Sequence, residues 1–223
     1  DGGRIHAKNP SFTMRGTRFT LCGFGADREV TTRLVGRPNL SNSLAAVATC
    51  VDQGIDIDVV AGGLASASSP PGRFELIETS DDFAIAVDYA HTPDALDRLL
   101  RTGRELGPSR LKVVFGCGGD RDRTKRPIMG RIASELADEV WVTSDNPRTE
   151  SAEAILDEIA VGMSGTVHRI VDRRSAIFDA VASLRARELL LIAGKGHEDY
   201  QILGDTKIVF DDRNVAREAL GRT

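Results

Sequence analysis

From Phe83 onward, short apolar runs alternate with amphipathic stretches, and this alternation constrains the fold more than any other feature. Phe83-Ala84-Ile85-Ala86-Val87 reads as a buried strand, and 93–106 as a helix carrying Leu96, Leu99, Leu100 and Leu106. Leu111 to Phe115 is a second strand, with a helix from Pro127 to Ala137. Val140 to Thr143 is a third, with a helix from Ala152 to Met163. Val167 to Val171 is a fourth, with a helix from Arg174 to Arg185, and Leu189 to Ala193 is a fifth. A last helix spans Arg213 to Leu220, with Asp211 or Asp212 as its cap. Continuous apolar runs between amphipathic helices indicate parallel strands covered on both faces. The expected fold class is α/β, an open, mostly parallel Rossmann-like sheet.

Residues before Pro71 lack that alternation. Phe12 to Leu21 and Glu29 to Leu34 suggest strands, and Asn42 to Gln53 suggests a helix with Leu44, Val47 and Val51. Ser66-Ala67-Ser68-Ser69-Pro70-Pro71-Gly72 is a linker by composition. The sequence is therefore divided into residues 1–72 and 73–223, the first part too irregular for a complete domain. Asp1-Gly2-Gly3-Arg4 is neither a signal peptide nor a natural start, so a cut chain is expected.

In a parallel α/β sheet, loops leaving the carboxyl ends of the strands share one edge, where ligands bind. Here they carry Asp88-Tyr89-Ala90-His91-Thr92, then Gly116-Cys117-Gly118-Gly119-Asp120-Arg121, then Asp145-Asn146-Pro147-Arg148, then Gly194-Lys195-Gly196-His197-Glu198. The opposite turns, such as Gly107-Pro108-Ser109, are chemically bare. Proline ends the third strand and exposes the Asp-Asn-Pro-Arg tip, whose Arg148 offers a permanently charged fork suited to a carboxylate. The same tip also reads as an Asx turn with a solvated arginine. Gly116 to Gly119 is either a tight strand–helix turn or a backbone cradle for an anion. His91 either caps a helix or takes a polar role beside Asp88. Together Arg121, Arg148 and Glu198 describe a reader of zwitterions: guanidinium groups for a carboxylate, and an acid for an ammonium group. An amino acid is the simplest such ligand.

Composition removes several classes. A net charge of −4 argues against nucleic-acid binding by bulk electrostatics. Three widely separated cysteines form no CxxC pair, which fits a reducing compartment, the cytoplasm, without structural zinc. No apolar run approaches the roughly 20 residues that cross a bilayer. No GxxxxGK[ST] occurs, and Gly116 to Arg121 lacks the third glycine of a dinucleotide fingerprint, which weakens an oxidoreductase reading.

These stretches resemble the Mur ligases, ATP-dependent amide-forming enzymes of bacterial cell-wall synthesis. The resemblance is carried by Asp88 to Leu96, Phe115 to Asp122, Asp145 to Arg148 and Ala193 to Gln201, and extends over nearly the whole chain. Gly36 to Asn42 is similar to the family's N-x-x-N segment, with Pro38 where an aromatic is usual, and Gly72-Arg73 to its Gly-Arg element. The resemblance implies the end of a central ATP-binding domain (1–72) before a complete C-terminal, amino-acid-binding domain (73–223). It implies meso-diaminopimelate bound by Arg121, Asp145, Asn146, Pro147, Arg148, Gly194 and Glu198, since the arginine of Asp-Asn-Pro-Arg marks the diaminopimelate adders. Asn39, Asn42 and Asp88 would bind the nucleotide, and Arg73 and His91 would face its phosphates as catalytic groups. ATP, Mg2+ and a UDP-N-acetylmuramoyl dipeptide are the implied reactants, the metal ligands lying outside this chain and the enzyme acting as a monomer. Without the family's P-loop, the chain alone is expected to be inactive. An amino-acid-binding module without catalysis and a lysine-adding ligase remain open alternatives.

Overall fold

The computed structural model describes residues 5–23 and 26–221, so the Asp1-Gly2-Gly3-Arg4 start lies outside the described residues. The chain divides into two compact units, Asp1–Ser69 with Glu105–Gly107, and Pro70–Arg104 with Pro108–Thr223.

The first unit holds strands β1 (Ile5–Thr13), β2 (Gly16–Gly23) and β3 (Ala26–Thr32) in an antiparallel sheet of that order, followed by helices α1 (Gly36–Asp52) and α2 (Ile57–Ser66). Phe19 pairs with Val30, and with Leu21, Val47, Ile57 and Leu64 they form its core. Each such side chain contributes about 1.5–3 kcal/mol by leaving water. The expectation of one strand over Phe12 to Leu21 is corrected, because the chain reverses between Thr13 and Gly16 and those residues belong to two strands. The alternation was masked because polar residues such as Arg18, Thr20, Glu29 and Thr31 occupy one face of a half-exposed sheet. Helix α1 begins six residues earlier than Asn42, with Pro38 in its first turn, where a missing N–H costs nothing.

The second unit is the predicted α/β sheet. Strands β4 (Glu75–Ile77) and β5 (Ala84–Asp88) precede helix α3 (Pro93–Glu105), then β6 (Leu111–Phe115), α4 (Lys125–Leu136), β7 (Glu139–Val142), α5 (Ala152–Ala160), β8 (Val167–Arg169), α6 (Arg173–Ala182) and β9 (Leu189–Ala193). A hairpin of β10 (Tyr200–Leu203) and β11 (Thr206–Val209) and helix α7 (Asp212–Ala219) follow, with Asp211 capping α7 by accepting from the Arg213 N–H. The sheet order is β4-β5-β9-β6-β7-β8, parallel except for the antiparallel edge strand β4. Strands β5, β6 and β9 are almost wholly buried, which is why they read as continuous apolar runs. The fourth strand ends at Arg169, short of Val171. The chain stays bonded to β7 beyond it (Ile170 N–H to Val142 O, Ser144 N–H to Val171 O), but without a regular ladder. Helix α2, strand β4 and the β10–β11 hairpin were not foreseen.

Candidate amino-acid-binding site

Because β9 lies between β5 and β6, the loops after β5, β9, β6 and β7 are neighbours along one edge of the sheet. Four stretches far apart in sequence are thereby brought to one rim.

At the centre, Lys195 is fully buried. Its Nζ lies 3.1 Å from Asn146 Oδ1, 3.3 Å from Glu198 Oε2 and 3.9 Å from Asp145 Oδ1. Asn146 Nδ2 donates to the same Glu198 oxygen at 3.1 Å, and Asn146 Oδ1 also accepts the Ile202 N–H at 3.0 Å. Gln201 Nε2 ties the hairpin to Ser144 Oγ and to the Asp145 carbonyl. Gly194 has φ +121, a conformation that favours glycine, and a Cβ there would stand 2.8 Å from Asp145 Oδ2 and press on that carboxylate. The carboxylates of Asp145 and Glu198 are thus held around one internal cation.

Arg148 sits at φ +53, a left-handed conformation that costs a non-glycine residue about 1 kcal/mol or more. Its backbone is clamped by the hairpin, its N–H donating to Ile202 O and its carbonyl accepting from Gly204 N–H. Its Nη1 donates to Gly119 O at 2.8 Å and to Asn146 O at 3.4 Å. Arg148 Nη1 and Arg121 Cγ flank Gly118, at 3.0 and 3.8 Å from where its Cβ would be. Arg121 is exposed on the rim and donates to Asp120 O at 3.0 Å. Pro147 is buried, and its carbonyl would lie 1.8 Å from a Cβ on Gly119. Asn146 therefore links Glu198, through its side chain, to Arg148, through its carbonyl.

A second cluster surrounds Tyr89. The Arg73 guanidinium lies 5.1 Å from the Tyr89 ring centre, and His91 and His197 contact that ring at 4.7 and 5.3 Å. Asp88 accepts the Phe74 N–H at 2.8 Å and the Ala90 N–H at 2.9 Å, and organises the loop. Burial raises the Asp88 carboxyl pKa above its usual range, although the two N–H bonds and Arg73 oppose the shift. Both Arg73 and His91 are exposed. In the first unit, Asn39 Nδ2 donates to Val35 O at 2.9 Å within the first turn of α1, and Asn42 is exposed one turn on. Burial pushes the Cys117 thiol up to about 12, which removes it as a nucleophile. Among the described residues, no group of three or more His, Cys, Asp or Glu side chains could hold a metal ion. None of their helices is long and apolar enough to cross a membrane.

The Mur ligase, glutamate ligase domain model matches residues 72–196. The chain belongs to that family. A protein of Gloeobacter violaceus named UDP-N-acetylmuramoyl-L-alanyl-D-glutamate--2,6-diaminopimelate ligase is 54% identical over 226 residues, which cover 99% of this chain and 46% of the relative. A Bacillus cereus protein of the same name is 43% identical, over 97% of this chain and 44% of its own length. A solved structure of a ligase with that name superimposes with a TM-score of 0.79 at 36% identity, over 99% of this chain and 46% of that one. A folylpolyglutamate synthase from Thermotoga maritima shares the fold at a TM-score of 0.68 and 23% identity, over 86% of this chain and 44% of its own. The chain spans about half the length of the curated relatives it matches.

Three supporting side chains were missed from the sequence. Lys195 enters there only as one residue of the loop after the fifth strand. Arg126 and Arg173 are fully buried, and each occupies an apolar position on its helix: 126, 129, 130 and 133 on α4, and 173, 176, 177, 180 and 181 on α6. A charge in apolar register is the legible signal. Arg173 binds Asp212 through two 2.7 Å bonds and donates to Ser144 O and Ala193 O, at the ends of β7 and β9. Burial alone would lower its pKa, but the Asp212 carboxylate outweighs that and raises it.

Proposed function

We propose that this chain is the amino-acid-binding part of a ligase that uses ATP to join meso-diaminopimelate to UDP-N-acetylmuramoyl-L-alanyl-D-glutamate in the cytoplasm. The observation that carries this reading is the link through Asn146 between a carboxylate, Glu198, and a guanidinium, Arg148. An ammonium group beside Glu198 and a carboxylate beside Arg148 are the two poles of the amino-acid end far from the reacting amine. Arg121, on the rim, is suited to the carboxylate of the other end. Lysine lacks the far carboxylate and would leave Arg148 without a partner. The names of the relatives support the same choice.

In the proposed reaction, the carboxylate of the UDP-linked substrate attacks the γ-phosphorus of ATP and releases ADP. The amine of diaminopimelate then attacks the acyl carbon of the resulting acyl phosphate. An amide forms, the C–O bond to phosphate breaks, and inorganic phosphate leaves. Glu198, Asn146 and Arg148 contribute by holding the amine's own molecule in one orientation, which removes rotational freedom before the chemical step. Arg73, with His91 beside it, would place positive charge near transferring phosphate, and Asn39, Asn42 and Asp88 are proposed to bind the nucleotide. Magnesium would neutralise phosphate charge when bound, and no residue described here is assigned to it.

Calorimetry of the chain with meso-diaminopimelate and with L-lysine tests the reading. The expected result is preferential binding of diaminopimelate that disappears in Arg148→Ala. Equal affinity of the unaltered chain for both amino acids would overturn it. Glu198→Gln should weaken both ligands by about 1.5–3 kcal/mol, the scale of a charge-assisted hydrogen bond.

A further inference from the structure

Arg126 touches none of the groups assigned to the ligand, yet it is tied to the loop on which Arg148 rests. Its two terminal nitrogens bind both oxygens of Glu150 at 2.9 Å, Nη1 also binds Glu158 at 2.8 Å, and Nη2 donates to Gly118 O at 3.2 Å. Glu150 Oε1 accepts the Asp120 N–H at 2.6 Å. Between those two anchored residues lies Gly119, whose carbonyl accepts Arg148 Nη1 and whose N–H donates to Asn146 O at 2.9 Å. The Asp120 carboxylate in turn accepts the Thr149 hydroxyl at 2.7 Å, next to Arg148. Three successive peptides, 118 to 120, are fixed at both ends by one ion pair, its arginine buried and its glutamate partly exposed, and Arg148 docks on the middle one.

Two facts argue that this arrangement serves position as well as stability. Among the described residues, the buried Nε of Arg126 has no hydrogen-bond partner, so the guanidinium is imperfectly compensated. Asp120 and Arg148 both have φ +53, conformations that persist only where surrounding contacts enforce them.

We propose that Arg126 and Glu150 are positioning residues that set the angle at which Arg148 is presented, and so determine preference for an amino acid with a carboxylate at its far end. This rests on the ligand proposed above. Among the described residues, Arg126 is linked to Arg148 through the 118–120 peptides and through Glu150, so its effect falls on selectivity for the far carboxylate and not on recognition of the ammonium group by Glu198.

The test uses Glu150→Gln, which keeps an acceptor for the Asp120 N–H, and Arg126→Lys, which keeps charge without the fork. For each, calorimetry gives the ratio of affinities for meso-diaminopimelate and L-lysine, and amide hydrogen exchange is followed at Gly119 and Asp120. The expected result is a ratio reduced by roughly tenfold or more, with lysine affinity unchanged, the scale of one misaligned charge-assisted bond. Exchange at Gly119 and Asp120 should accelerate by a similar factor, while β5, β6 and β9 stay protected. A wild-type ratio, or unaltered exchange at both amides, overturns the proposal. If the unaltered chain shows no preference for diaminopimelate, the functional reading fails separately. Exchange at the two amides then decides the positioning by itself. Should Arg126→Lys fail to fold, Glu150→Gln carries the same outcomes.

Discussion

Lys195 Nζ and Glu198 Oε2 lie 3.3 Å apart, and the lysine side chain has no exposed surface. The acid assigned to a ligand's ammonium group is already paired with an internal ammonium. Glu198 is thereby aimed by Lys195 and Asn146, at the cost of sharing its charge with a neighbour it cannot release. Lysine at this position supplies a point charge to three polar side chains, where a planar guanidinium would have to choose among them.

Removing that cation leaves the Glu198 and Asp145 carboxylates without the positive charge they share. Lys195→Met is expected to destabilise the chain by about 3 kcal/mol, the lower range for breaking a buried pair, because Glu198 and Asp145 keep some contact with water. Adding Glu198→Gln should recover part of that loss. Urea unfolding of the two single variants and the double would give the coupling, and strictly additive losses would refute the pairing.

The acid limb of stability should carry the signature of Glu150. The Arg126 guanidinium, and next the Asp120 N–H, hold its carboxyl at about 2, below the ordinary 4.5. A depressed acid stabilises the folded state above its unfolded value, and that contribution disappears as pH falls from about 4.5 towards 2. Glu150→Gln should therefore be less stable than the parent at neutral pH and lose less across that window. Parallel acid limbs, recorded as urea midpoints against pH, would contradict the assignment.

Two glycines should respond oppositely to the same methyl group. A Cβ on Gly119 would stand 1.8 Å from Pro147 O, so Gly119→Ala must separate the loops after β6 and β7, lowering diaminopimelate affinity at least tenfold. Gly62, exposed in α2, has nothing within 4 Å of its Cβ position. Gly62→Ala should stabilise by about 0.5–1 kcal/mol through helix propensity. Thermal melts paired with calorimetry distinguish them, and unimpaired binding by Gly119→Ala is the damaging result.

Arg173 and Asp212 form a pair with no exposed side-chain surface that spans α6 and α7 and touches the ends of β7 and β9. Arg173→Met should cost about 3–5 kcal/mol, since it leaves a buried carboxylate alone. Arg173→Met combined with Asp212→Leu should recover most of that loss. If the single variant melts with the parent, the pair has no structural weight.

What could be read from the residues differs sharply between the two units. Runs such as Leu189 to Ala193 are buried on both faces, so their sequence has no polar interruption and their strands were evident. The strands of the first unit have one wet face, and the reversal between Thr13 and Gly16 hides inside what looks like one run. The β10–β11 hairpin was invisible for a similar reason, because all of β11 is exposed. Within the candidate site, loop position singled out Arg121, Arg148 and Glu198, whereas Asp145, Asn146 and Gly194 were named through the family resemblance. Buried Lys195, Arg126 and Arg173 required knowledge of which charges face inward. Nothing in sequence spacing says that Asn146 would join Arg148 to Glu198, since residues 146 and 198 meet only through the strand order.

That order has a consequence for how the molecule is made. Strand β9 inserts between β5 and β6, so a ribosome has emitted some hundred residues after β5 before its proper neighbour exists. Until then β5 and β6 flank a slot, each with an unsatisfied ladder edge prone to pairing with the wrong partner. The rim of loops can assemble only when that late segment threads home. Recognition chemistry and the closing event of folding are therefore bound to the same five residues and the turn that leaves them.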